Sequence, residues 1–162
     1  MIVRILSRRL FAAVAGAVIV ITALVAPASP ASAATPTCNS WTTKFSSDGY
    51  RFEVPSLGRN SNEHVCVLKL NDGYSGGGVG SAVFVLQGSL NSCHQGGLVQ
   101  DGKYGPRTRD VVAWVTAAKG LSQPPEGFGA YDQVVMFFVV RWLGQRTVGG
   151  ETRTVCRHFG VI

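Results

Sequence analysis

Three of the four cysteines stand within two positions of a histidine: His64 with Cys66, Cys93 with His94, and Cys156 with His158. These are zinc-ligand types, but the spacing is neither C-x-x-C nor a pair of histidines three to five residues apart. No H-E-x-x-H and no G-x-S-x-G occurs, so the sequence encodes neither that type of zinc peptidase nor a serine-hydrolase elbow. A Cys/His hydrolase needs a free thiol, whereas an even, exported set of four reads as two disulfides. Glu53, Glu63, Glu126 and Glu151 fall in irregular stretches, and no neighbour marks any of them as half of a carboxylate pair for glycoside cleavage. Gly73 to Gly80 is glycine-rich but lacks the G-K-[ST] of a phosphate loop, and it reads as a linker. Trp41, Trp114 and Trp142 are the candidate ring platforms, with Trp114 the best placed for exposure. The chemistry expected is non-catalytic binding, with no metal and no cofactor.

The export inference rests on residues 1–34. Arg4, Arg8 and Arg9 precede an apolar run from Leu10 to Val25, and Ala31-Ser32-Ala33-Ala34 follows. This is the pattern of a secretory signal peptide. The run contains Gly16 and Thr22 and falls short of the ~20 residues of a membrane span. Ser7-Arg8-Arg9-Leu10-Phe11 is also similar to the twin-arginine export signal, ordinary secretion being the other route. Removing 34 of 162 residues leaves 128, the size of one domain. Subtracting Arg4, Arg8 and Arg9 from 15 basic side chains leaves 12 against 9 acidic ones, so the net charge falls from +6 to +3. Half of the basicity belongs to the leader, so no nucleic-acid partner is expected, and no membrane partner once the leader is removed. The expected location is secreted, either extracellular or wall-associated.

Residues 35–78 read as an irregular segment with strand-like pieces at Arg51–Val54 and Val65–Leu70. Residues 79–142 carry the helical pattern. Val83, Leu86 and Leu90 make one apolar stripe of a helix over about Ala82–Ser92, with Ser81 as its N-cap. A second helix has Gly105-Pro106 at its start, Val111, Val112 and Val115 as its buried stripe, and Lys119-Gly120-Leu121 as a Schellman-type end. Periodicity does not separate a buried helix from a strand in the run Val134–Val140, and Asp132 near its start favours a third helix. Residues 143–162 form a tail, in which Thr152–Cys156 alternates and is expected to pair with the N-terminal segment. Four cysteines allow three pairings; the one expected here staples the chain ends, Cys38 to Cys156, and leaves Cys66 with Cys93.

Val83-x-x-Leu86-Gln87-x-x-Leu90-Asn91, then Leu98-x-x-Asp101-Gly102-x-Tyr104-Gly105-Pro106-x-Thr108-Arg109, then Val112 and Gly120-Leu121, resembles the bacterial peptidoglycan-binding domain of the three-helix type. The likeness covers about 60 of the 128 residues. It departs where the family's F-Q reads Val115-Thr116, and where its second loop is replaced by Pro124–Asp132. The resemblance implies a mainly α fold: a three-helix bundle with short flanking strands and two disulfides. It also implies peptidoglycan as the partner. Within the loop, Asp101 is expected to accept backbone N–H groups, Gly102 to take a positive φ, and Tyr104 to pack beneath the turn. Glycan and stem peptide call for amides, an aromatic ring and an arginine fork, so Gln87, Asn91, Asp101, Tyr104 and Arg107 form the expected binding constellation. Two other readings accompany it: a secreted protease inhibitor presenting Ser122–Gly129, and a wall hydrolase whose acid is not identified.

Overall fold

The computed structural model describes residues 34–76, 78–159 and 162. All but the last residue of the leader assigned above therefore lies outside the described residues. Strand β1 (Ser40–Phe45) and strand β2 (Arg51–Ser56) form an antiparallel hairpin. Its turn is closed by the Ser46 N–H on Tyr50 O at 2.9 Å, with Gly49 at φ +82°. A side chain at Gly49 would have to occupy the left-handed region that glycine enters freely. The Asp48 carboxylate in the same turn is gripped by the Arg157 guanidinium, at 2.8 Å and 2.5 Å. That pairing, with the Ser46 hydroxyl, holds the Asp48 carboxyl far below the usual carboxylate range.

Helix α1 (Gly78–His94) and helix α2 (Pro106–Ala118) follow. Helix α1 begins three residues before the expected Ser81 cap. Gly78 lies so close to the Asn39 carbonyl oxygen that a Cβ there would collide with it. Val83, Leu86 and Leu90 are buried, as are Val111, Val112 and Val115 of α2. The end of α2 is a Schellman motif: Gly120 N–H reaches Ala117 O at 2.9 Å, Leu121 N–H reaches Thr116 O at 3.3 Å, and Gly120 has φ +69°.

The expected third helix is instead a single π-helical turn, Val135–Val139, closed by Val140 N–H on Val135 O at 2.9 Å. Asp132 Oδ1 accepts the Val135 N–H at 2.8 Å, and Val140 is already extended. Valines fill much of this run and lose side-chain freedom in a helix. The indole N–H of Trp142 takes the Met136 carbonyl at 3.2 Å. Strand β3 (Arg141–Val148) then starts at once and hairpins into strand β4 (Glu151–His158).

The four strands make one antiparallel sheet in the order β1-β2-β3-β4. This overturns the mainly α three-helix bundle. Two helices and a π turn pack with a sheet whose third strand begins in the last two residues of the stretch read as helical and whose fourth lies wholly in the stretch read as tail. Thr152–Cys156 is in a strand, but its partner is β3 rather than the N-terminal segment. Val65–Leu70 makes only isolated bridges, Val67 to Thr37 and Leu68 to Tyr131. The core gathers Phe52, Val54, Leu86, Leu90, Tyr131 and Trp142, with Tyr131 edge-on to Trp142 at 6.1 Å.

Both disulfides differ from the expected pairing. Cys38 joins Cys66 and Cys93 joins Cys156, at Cα–Cα distances of 5.0 Å and 5.6 Å. The backbone bridge between Thr37 and Val67 brings the first two together. The second clamps the last turn of α1 onto β4, which only the unforeseen β3–β4 hairpin can bring there. Among the described residues, no helix is long and apolar enough to cross a membrane.

Candidate functional site

The loop between α1 and α2 was expected to present a ligand surface, and most of its marked residues serve the fold. Gln87 is only 1% exposed. Its Oε1 accepts the Gly102 N–H at 2.9 Å, and its Nε2 lies 3.0 Å from Lys103 O, 3.1 Å from Asp101 Oδ1 and 3.2 Å from Thr108 Oγ1. Asn91 clasps the backbone of Leu98 in both directions, at 2.7 Å and 2.9 Å. Tyr104 is wholly buried, its hydroxyl donating to Gly129 O at 2.8 Å. A ring in that position packs beneath the loop and cannot stack on a ligand. Burial raises its phenol pKa well above the usual value. Arg107 is exposed in the first turn of α2, with no hydrogen-bond partner among the described residues. The structure thus joins Gln87 directly to Asp101, places Asn91 and Tyr104 elsewhere in the same support, and leaves Arg107 apart.

Gln87 carried a readable warning. Positions 83, 86, 87 and 90 follow the i, i+3, i+4, i+7 rule. An amide inside an apolar stripe is more economically a buried staple than a ligand contact.

The outer rim of the same loop borders a groove. Strand pairing puts Trp41, Thr43, Glu53, Arg51 and Gln145 on one face of the sheet. Phe84, Gly88 and Ser92 of α1 line the other side. Two adjoining depressions, of about 480 Å³ and 250 Å³, share Glu53, Phe84 and Val85. Asp101 and Gly102 stand on the rim of the larger one, opposite Trp41. Its floor is bare because Gly73, Gly80 and Gly102 meet backbone to backbone, and a Cβ at Gly73 or Gly102 would strike its neighbour's carbonyl. The stretch read as a linker is therefore packed at Gly73, Gly78 and Gly80 but open at Gly76, and Gly73 at φ +81° and Gly102 at φ +74° are conformations a larger residue resists.

The groove offers two aromatic side chains in its larger depression and hydrogen-bonding side chains along both. Phe84 is 47% exposed, and Trp41, half-buried, lies under the Arg59 guanidinium at 5.3 Å. Gln100 is fixed by its Nε2 on Phe84 O at 2.9 Å. Glu53 is ion-paired with Arg51. The Asp101 carboxyl is held below its usual range by the Lys103 N–H and the Gln87 amide. Trp41, Phe84, Gln100 and Gln145 were not foreseen as a set, since α1 and three strands must assemble before they meet. The available signals were Trp41, already a candidate ring, and Phe84, an aromatic residue off the buried stripe.

The loop Ser122–Gly129 is tied to itself, while Ser122, Pro125, Gly127 and Phe128 are exposed, Phe128 at 63%. Gln123 Oε1 accepts Gly129 N–H at 2.9 Å, and Gly127 N–H turns back to Pro124 O at 3.0 Å. No family model, curated protein or solved structure matches this chain.

Proposed function

We propose that this protein binds bacterial peptidoglycan without cleaving it, and that the glycan lies in the groove between α1 and the sheet. The observation that carries the reading is the groove's composition: Trp41, Phe84 and Asp101 line its larger depression, Gln100 and Gln145 line the smaller one, and Phe84 and Glu53 belong to both. Sugar rings offer apolar faces for aromatic contact and hydroxyls for amides and carboxylates. The motif loop contributes through its Asp101–Gly102 rim, while its buried side holds that rim in place. The export-type leader and two disulfides fit a protein working at the wall.

Glycoside cleavage needs a carboxylic acid that holds a proton at working pH. Asp101 is committed to two donors that hold its carboxyl below the usual range, and Glu53 is ion-paired with Arg51. Asp101 is therefore a better acceptor for sugar hydroxyls than a proton donor.

Sedimentation with purified sacculi tests this. Phe84→Ala with Trp41→Ala is expected to lower retention about tenfold, matching the loss of two stacking contacts of ~0.5–1.5 kcal/mol each. The Tm of the double variant is checked alongside, and Phe84→Ala alone, at an exposed position, separates binding from folding. Unchanged retention of the folded variants overturns the groove. Release of soluble wall fragments by the wild type overturns the non-catalytic part.

A further inference from the structure

On the far side of the α1 terminus lies a second depression, of about 260 Å³, lined by Cys93, His94, Gln95, Trp114 and Arg141. It shares no lining residue with the groove. Three elements build it: the end of α1, the outer side of α2 and the first residue of β3. The Cys93–Cys156 disulfide locks α1 to β4, the hairpin partner of β3.

Trp114 is 60% exposed, so its indole face is offered to solvent on the side of α2 away from the buried valines. Arg141 is aimed by the fold. One Nη donates to Cys93 O at 2.7 Å, while its backbone N–H is accepted by His94 Nε2 at 2.8 Å. A guanidinium has five N–H donors, so most of this one's remain for a ligand. Its charge is also unspent. Arg51, Arg109 and Arg157 each have a carboxylate, with Glu53, Asp110 and Asp48, whereas Arg141 has no carboxylate partner among the described residues. Burial, and after it the charges of Arg141, His158 and Lys119, lower the pKa of the His94 ring.

A flat aromatic face beside an anchored, uncompensated arginine fork matches a ring that carries a carboxylate. We infer that this depression is a second binding site, for a carboxylated sugar of the uronate type. The inference does not depend on the groove reading.

Glucuronate is the probe, titrated at pH 7 into the oxidised, ¹⁵N-labelled protein while the three indole N–H signals are followed. The expected result is a saturable shift of the Trp114 signal, at least about fivefold weaker in Arg141→Gln, the loss of one charge-assisted contact. Glucose should give no saturable shift. In Trp114→Ala, glucuronate should no longer shift the backbone signals of Gln95 and Arg141. Phe84→Ala, in the groove, should titrate like the wild type. Equal response to glucose, or wild-type affinity in Arg141→Gln, overturns the site. So does the absence of saturation, or loss of the response in Phe84→Ala.

Discussion

Two loops flank α2, and each delivers a buried tyrosine to the same stretch of chain. The first, ending at Tyr104, pairs with Asn71 and Asp72: Asn71 N–H reaches Tyr104 O at 3.0 Å and Tyr104 N–H reaches Asp72 O at 2.8 Å. The second, ending at Tyr131, exchanges backbone bonds with Leu68 at 2.8 Å and 2.9 Å. The difference lies in what holds each loop. A buried amide on a rigid helix, Gln87, binds the first at several points. The second is tied by Gln123 from within the loop itself, and its Tyr131 hydroxyl and Glu126 Oε2 have no partner among the described residues. One loop is a fully bonded corner that can support a rim of fixed shape, and the other is a softer cover.

The contrast breaks most visibly at Gln87. Gln87→Ala strands the buried Gly102 N–H and opens a cavity beneath Asp101–Gly102. The expected cost is ~3 kcal/mol, the sum of one or two unsatisfied buried groups. Urea denaturation measures it, with an unchanged m-value as the check that the unfolded state is comparable. Gln123→Ala, by contrast, removes contacts from a half-buried side chain and is expected to cost ~1 kcal/mol. Equal costs for the two would erase the distinction between corner and cover.

Acid should act on the first loop through the residue at its start. His94 is held neutral, its pKa lowered from 6.5 to about 4 by burial and by the charges of Arg141, His158 and Lys119. The unfolded chain therefore takes up a proton near pH 6.5 that the folded chain refuses until about pH 4. Stability attributable to this group is complete above pH 6.5 and drains away as the pH falls through that window. His64 and His158 are lowered as well, chiefly by burial, so they act with the same sign. His94→Gln is expected to flatten the fall in Tm between pH 6.5 and 4 without abolishing it. Asp132, at the end of the second loop, runs the other way: burial raises its pKa, so its ionisation subtracts stability as the pH rises through that raised value.

These loops also mark how far local sequence reaches. The ends of α2, the Asp101–Gly102 turn and the packing of Tyr104 beneath it were readable because each depends on residues a few positions apart. Gly105-Pro106 and Gly120-Leu121 specify their own backbone. The sheet was not readable in the same way. Strand β1 reads Ser-Trp-Thr-Thr-Lys-Phe, with little apolar alternation. In β3 the alternation is masked by Gly144, which takes no side chain because the Phe52 ring lies across it. Register of that kind is set by partners far along the chain. The disulfide pairing fell with it, since Cys156 finds Cys93 only once β4 is docked. The groove depends on the same assembly, so its walls could be named singly but not as a site.

The smallest effect separates the loops most cleanly, because it turns on one oxygen in each. Tyr104→Phe removes a hydroxyl that donates to Gly129 O, leaving that carbonyl short of a partner, and should cost ~1 kcal/mol. Tyr131→Phe removes a buried hydroxyl with no partner among the described residues. It should be neutral or stabilise by up to ~1 kcal/mol, because the folded state no longer carries the desolvated group. Both rings stay in place, so packing is constant and only the polar term changes. A loss of ~1 kcal/mol in Tyr131→Phe would mean that a buried water satisfies the hydroxyl. The second loop would then lack a partner, among the described residues, at Glu126 Oε2 alone, and the difference between the loops would rest mainly on Gln87.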